Sequence, residues 1–316
     1  MTVVTGGTGF IGAHLLERLA AAGETVRALV RRKTTLPAGV EPFYCDLIKD
    51  TQIAEAVRGA DIVIHLAGTT KALRIDDYYS GNVHATENLA RVLAGKPVRF
   101  VHVSSLAAVG PNPGDEPLGE DVEPQPITHY GSSKLEAERL VRRLAPQAVI
   151  VRPPVVYGPR DTDVFPLLKS IAKGLVVEIA GGERWFSAIY VKDLCEGLVA
   201  AAQSPQAGGR TYFLAHAKAL SWSEFGAAAA KVLGRTPRVL RVPGPAAYAV
   251  GACAEVWARF AGKPGIVSRE KIREARCRAW TCDTRRAADE LGFTAQTGVE
   301  EGLAETIAWY REAGWL

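Results

Sequence analysis

The chain has 316 residues, 47% hydrophobic and 23% charged, which is enough apolar material for a folded protein with a sizeable core and two unequal lobes. Its 38 Lys and Arg against 34 Asp and Glu leave +4, too small and too evenly spread to argue for a nucleic-acid partner. Five scattered cysteines (Cys45, Cys195, Cys253, Cys277 and Cys282) without a CxxC pair fit reduced thiols and a cytoplasmic location, with no secretory leader expected before the first strand and no metal-ligand spacing among the six histidines.

Short apolar runs predict strands at Thr2–Thr5, 25–30, 41–45, 62–66, 99–104 and 148–152. Longer apolar periodicity predicts helices between them at 13–22, 51–57, 80–93 and 134–144. Apolar strands joined by crossover helices mean an α/β fold with a doubly wound parallel sheet, the Rossmann arrangement. After Val151 the alternation decays through Pro153-Pro154, Pro159, Gly181-Gly182 and Gly208-Gly209. A strand at 211–214 is expected to return to the main sheet, and helices at Trp222–Leu233 and 303–311 to build a smaller lobe. The expected division is therefore a dinucleotide-binding domain at 1–155, with 185–215 returning to it, and a mainly helical substrate lobe at 156–184 and 216–316. The apolar stretch 246–261 is interrupted by Glu255 and Arg259 well short of the ~20 residues needed to span a bilayer, so it reads as an amphipathic helix, with weak membrane-surface contact as the alternative. The basic run 269–278 reads as a solvated helix face, because Glu270 and Glu274 interleave with its cations.

The first strand runs into Thr5-Gly6-Gly7-Thr8-Gly9-Phe10-Ile11-Gly12. Gly6 permits a tight turn, Gly9 lets backbone approach a diphosphate, Gly12 lets helix pack on strand, and the helix opening at Phe10 and Ile11 presents its N-terminus to the phosphates. At the end of the second strand, where an acidic residue would suit NAD, stand Val30, Arg31, Arg32 and Lys33. Cations there favour the 2′-phosphate of NADP over NAD. Asp46, followed by Leu47, is placed either to accept from the adenine amino group or to cap the next helix. Leu66-Ala67-Gly68 closes the fourth strand as a small-residue turn beside the cofactor ribose, with His65 read as packed core. Ser104 and Ser105 follow the fifth strand, at the sheet edge where doubly wound folds hold ligands, and a hydroxyl there can bind a substrate oxygen.

Tyr130 and Lys134 stand four apart, which on a helix puts phenol and ammonium on one face. A free phenol loses its proton only near pH ~10, and a nearby cation lowers that value, so the pair makes a usable proton donor.

In this order, the glycine loop, the Ser105 loop and Tyr130-x-x-x-Lys134 resemble the extended short-chain dehydrogenase/reductase family over almost the whole chain. Asn82 to Leu89 is similar to that family's helix bordering the active site, and Arg152-Pro153-Pro154-Val155 to its segment by the nicotinamide. The resemblance implies Tyr130 as general acid/base, Lys134 as its tuner and ribose ligand, Ser105 as the group steadying the reacting oxygen, and a homodimer through helices flanking the site. Leu106 and Ala107 replace the acid that dehydratases carry after the catalytic hydroxyl, which disfavours elimination. Val155 replaces an asparagine used by many sugar-nucleotide enzymes, and Phe186-Ser187-Ala188 replaces their Arg-Asp-Phe. What is left resembles the 3β-hydroxysteroid, sterol-carboxylate and dihydroflavonol branch. That implies hydride exchange with a secondary alcohol or ketone of a hydrophobic, cyclic, sterol- or isoprenoid-like substrate. The aromatic content of the second lobe offers Phe186, Tyr248, Trp257 and Phe260 to line such a pocket, with ordinary core packing as the alternative. A sugar-nucleotide 4-epimerase holding NAD and a non-catalytic dinucleotide sensor are the alternatives.

Overall fold

The computed structural model describes residues 1–49, 52–262, 264–265 and 268–316. In chain order the elements are β1 (Thr2–Thr5), α1 (Phe10–Ala21), β2 (Val26–Val30), β3 (Val40–Tyr44), α2 (Ile53–Ala56) and β4 (Ile62–His65). α3 (Ile75–Tyr79) then runs through a π-helical turn, Ser80–His84, into α4 (Ala85–Leu93). Next come β5 (Arg99–Val103), a 3₁₀ turn at Leu106–Ala108, α5 (His129–Leu144), β6 (Val149–Arg152), β7 (Val155–Tyr157), α6 (Phe165–Ala172) and β8 (Leu175–Ile179). They are followed by β9 (Trp185–Phe186), β10 (Ala188–Tyr190), α7 (Val191–Gln203), β11 (Thr211–Phe213), β12 (Leu220–Ser221) and α8 (Trp222–Leu233). The chain finishes with β13 (Arg238–Val242), α9 (Gly244–Ala261), α10 (Arg269–Arg276), β14 (Ala279–Trp280), α11 (Arg285–Leu291) and α12 (Val299–Glu312).

Seven parallel strands form the main sheet in the order β11-β6-β5-β4-β1-β2-β3. Strand order reverses at β1 and β4, so the turns leaving those two strands diverge and open a crevice at their carboxyl ends. Apart from the edge strand β3, where Glu41, Pro42 and Tyr44 are exposed, the strands are buried on both faces. Leu15, Leu16 and Leu19 of α1, together with Leu194 and Leu198 of α7, cover one side. Leu89 and Leu93 of α4, with Val141 of α5, cover the other. This explains why β4 and β6 each open with three consecutive apolar residues instead of alternating. A second apolar cluster joins α6, α8 and α12 to β9 and β10, with Phe225, Leu303 and Tyr310 at its centre.

Two boundaries move in an informative way. α1 starts at Phe10 and α5 at His129, both earlier than apolar periodicity predicts. The first turn of α5 is His-Tyr-Gly-Ser-Ser, which carries no apolar stripe, and it is fixed by Thr128, whose hydroxyl accepts from Gly131 N at 3.1 Å. The expected start of the second helix at Thr51 lies outside the described residues, and the helix runs over Ile53–Ala56.

Candidate active site

The glycine loop is as tight as its composition demands. Gly6 has φ +71°, and a Cβ there would lie 2.6 Å from Ala67 N, so the loop after β1 presses on the Leu66-Ala67-Gly68 turn after β4. A Cβ on Gly12 would stand 2.2 Å from Gly6 O. Gly9 caps α1 with no side chain over the helix end, and the first turn, Phe10 to Gly12, holds no acidic residue. The free N–H groups there face the crevice with positive partial charge, a cradle that fits a diphosphate. The opposite turn is held by Thr5, whose carbonyl accepts from Leu66 N at 3.2 Å and whose Oγ1 accepts from Ala67 N at 3.1 Å. His65 is fully buried between Thr5 and Thr86, at 2.6 and 2.9 Å, and burial drives its pKa down to about 3.

Arg31 and Arg32 are exposed at the end of β2 and have no ion pair among the described residues. Asp46 does not cap α2: Gln52 occupies that position, while Asp46 Oδ1 closes a local turn by accepting from Ile48 N at 3.1 Å. The carboxylate is too far back along the chain to reach the helix end. Leu47 is buried, and its carbonyl accepts from Asn88 Nδ2 at 2.9 Å.

Ser105 caps the 3₁₀ turn after β5, its Oγ accepting from Ala107 N at 3.1 Å. α5 lies directly on this turn, since a Cβ on Gly131 would be 2.2 Å from Ala107 O. That contact brings Tyr130 to Ser105. Burial raises the Tyr130 pKa, and its hydrogen bond with Ser105 pulls it partly back, so the phenol keeps its proton at neutral pH. The expected lowering by Lys134 is not what acts here: the cation that lowers the phenol is Lys271, and desolvation outweighs it. Lys134 is buried, donates to Val103 O at 2.8 Å, and is pushed down to about 8 by burial, against the opposing pull of Glu138. Ser104 Oγ, beside that carbonyl, is buried with no hydrogen-bond partner among the described residues. Pro153 O accepts from Leu106 N at 2.9 Å, and Val155 opens β7. The crevice therefore combines an open helix end, an orphaned hydroxyl and a phenol-hydroxyl pair, a donor set that fits a nicotinamide dinucleotide.

Residues 2–215 match the NAD dependent epimerase/dehydratase family. The chain belongs to that family. It is 32% identical to the ceramide reductase of Caulobacter vibrioides, over all of this chain and 96% of that protein. It is also 29% identical to the 4-hydroxy-2-methyl-3-oxo-4-farnesyl-3,4-dihydroquinoline-1-oxide ketoreductase of Stigmatella aurantiaca, covering 96% and 94%. Among solved structures it resembles MoeE5 in complex with UDP-glucuronic acid and NAD, at 27% identity and a TM-score of 0.79, with 99% of each chain covered. Together these make it an NAD-dependent oxidoreductase of the extended short-chain type, similar to the sterol-carboxylate and 3β-hydroxysteroid dehydrogenases.

This extended short-chain enzyme has a cavity of about 390 Å³ over Tyr130, and its walls differ from the sequence expectation. Of the four expected aromatics only Tyr248 lines it. Phe186 is buried and stacks on Trp222 at 4.1 Å, whereas Trp257 and Phe260 are 75% and 85% exposed on the outer side of α9. Nor is the basic run from Arg269 merely solvated. Glu270 Oε1 accepts from His129 N at 3.0 Å and Arg273 donates to Ile127 O at 3.2 Å, which docks α10 on the start of α5. Lys271, paired with Glu274 at 2.7 Å, is the charge that most lowers the Tyr130 pKa. Sequence reasoning also passed over Asn82 as an individual residue. Fully buried in the π-helical turn, it accepts from Thr69 N at 2.7 Å and donates to Thr69 O at 3.0 Å and Ser133 Oγ at 2.9 Å, tying the β4 turn to α5. A π-helical turn with a buried polar side chain is the structural signal, and it leaves no trace in hydrophobic periodicity.

Proposed function

We propose that this enzyme interconverts a ketone and a secondary alcohol on an amphipathic lipid, with an apolar chain or ring and a polar head, and prefers NADP. The carrying observation is the meeting of Ser105 and Tyr130 beneath a cavity whose walls mix apolar and cationic groups, among them Ile75, Tyr78, Tyr248, Arg259 and Lys271. Similarity to a ceramide reductase and to a ketoreductase of a farnesylated ring supports the same reading.

In this reading Gly6, Gly9, Phe10, Ile11 and Gly12 hold the diphosphate, Arg31 and Arg32 the 2′-phosphate, and Asp46 and Leu47 the adenine. Leu66, Ala67 and Gly68 flank the ribose, and Ser104, Pro153 and Val155 border the nicotinamide. When bound, the dinucleotide supplies or accepts the hydride. Ser105 hydrogen-bonds the substrate oxygen, Tyr130 gives or takes its proton, and Lys134 holds ribose hydroxyls while placing positive charge behind the phenol. Residues 1–155 and 185–215 form the dinucleotide domain, and 156–184 with 216–316 the substrate lobe. The scattered cysteines add a cytoplasmic location, and the family resemblance a homodimer, which sedimentation analysis tests.

The test is NADPH oxidation with detergent-dispersed ketolipids, ring ketones and UDP-sugars. Turnover of the ketones supports the proposal. Stoichiometric co-purified NAD with epimerisation of a UDP-sugar overturns it in favour of an epimerase, and dinucleotide binding without any turnover overturns it in favour of a sensor. Arg31→Ala is expected to raise KM for NADPH by ~10-fold or more, as loss of a charge-assisted hydrogen bond would, while NADH kinetics stay unchanged. Equal effects on both cofactors refute the 2′-phosphate contact.

A further inference from the structure

α9 presents an apolar face to solvent. At 3.6 residues per turn, Ala249, Val250, Cys253, Val256, Trp257 and Phe260 fall within about a third of the circumference, and all are exposed. The opposite face, Ala247, Gly251 and Ala258, is buried, and Gly251 lets Ile272 of α10 approach to 3.1 Å of where a Cβ would stand. Single exposed apolar residues are ordinary, but a contiguous strip with two aromatics marks an interaction surface.

Charge and position indicate what covers it. Residues 235–276 hold nine Lys and Arg against three Glu, while the whole chain nets only +4. All three acids are engaged: Glu255 by Arg269, Glu270 by His129 N and Glu274 by Lys271. Arg259, at the edge of the strip, is exposed and has no ion pair among the described residues. A second copy of the chain would set this basic segment against itself, whereas an anionic surface complements it. From Ala249 to Phe260 the strip is about 18 Å long by helical rise, too short to cross ~30 Å of hydrocarbon but suited to lying in the interface. No helix among the described residues is long and apolar enough to cross a membrane. The flank and buried side of the helix contribute Tyr248, Ala258 and Arg259 to the cavity over Tyr130.

We propose that α9 is an interfacial helix that lays Val250, Val256, Trp257 and Phe260 into the surface of an anionic lipid bilayer, so that the cavity takes its substrate from the membrane. The delivery half of this statement rests on the lipid-ketone reading above. Because vesicle binding needs neither dinucleotide nor substrate, failure of docking and failure of ketone reduction are separate results.

The test is flotation of the full chain with phosphatidylcholine vesicles, with and without phosphatidylglycerol, for the wild type and a Trp257→Glu/Phe260→Glu variant. The wild type is expected to bind the anionic vesicles and to be released by salt. The variant should bind ~10-fold or more weakly, from lost apolar burial, with unchanged turnover of a detergent-dispersed ketone. Absence of wild-type binding overturns the proposal, as do equal binding by the variant or equal binding to both vesicle types. A wild-type dimer that the variant converts to monomer, with neither binding vesicles, overturns it in favour of a second copy on α9.

Discussion

Tyr130 keeps its proton because its surroundings deny it charge. Burial raises its pKa, and the Ser105 hydroxyl only partly offsets that. Tyr130→Phe keeps the ring and deletes the transferable proton, so kcat should fall by ~10²–10⁴-fold while NADPH affinity, followed by its fluorescence, stays within error. Unchanged kcat would remove the phenol from the reaction. Asp161 shows the same force acting on stability. It is 2% exposed and accepts from Asp163 N at 2.7 Å and Val164 N at 3.1 Å, yet burial pushes it up to about 7 from an ordinary value of 3.8. The folded protein thus holds this proton more tightly than the unfolded chain does. Its contribution to stability is complete below pH about 4 and is lost as pH rises through about 7. Melting temperatures across that window should decline for the wild type and flatten for Asp161→Asn; parallel curves would show that Asp161 does not carry the slope.

At the scale of elements, close approaches define the crevice. Gly12→Ala drives a methyl onto Gly6 O, where 2.2 Å is available, and neither the β1 turn nor α1 can retreat from the sheet. The variant should lose measurable dinucleotide binding in a fluorescence titration and melt at a lower temperature; wild-type affinity would refute the cradle. This loop was legible in the sequence because its logic is local, with three glycines at fixed spacing between a strand and a helix. The placement of Tyr130 and Lys134 four apart on one helix was legible for the same reason. The role of Asn82 and the docking of α10 were not, because they depend on contacts across long separations: Asn82 on Ser133, and Glu270 on His129 N. Periodicity carries no information about such partners. Aromatic content in turn misplaced Trp257 and Phe260, since an apolar residue on a helix faces a pocket or core only when another element covers it.

Across the whole molecule, Arg152 of β6 clasps Glu138 of α5 at 2.6 and 3.0 Å in a nearly dry setting, and also donates to Glu120 O at 3.1 Å. Glu138→Gln leaves a buried guanidinium without its counter-charge, so urea denaturation should show a loss of about 3–5 kcal/mol. A loss under ~1 kcal/mol would mean that water enters and screens the pair. The same neighbourhood ties together distant parts of the chain. β11 pairs with β6 only after β7 to β10, α6 and α7 have been laid down, and Arg142 of α5 reaches Gly209 O at 2.8 Å and Thr211 Oγ1 at 2.5 Å. A nascent chain that has left the ribosome only as far as residue 155 has every other strand of the main sheet but not the one that shields β6. A fragment ending at residue 155 would leave β6 as a raw strand edge, open to aggregation.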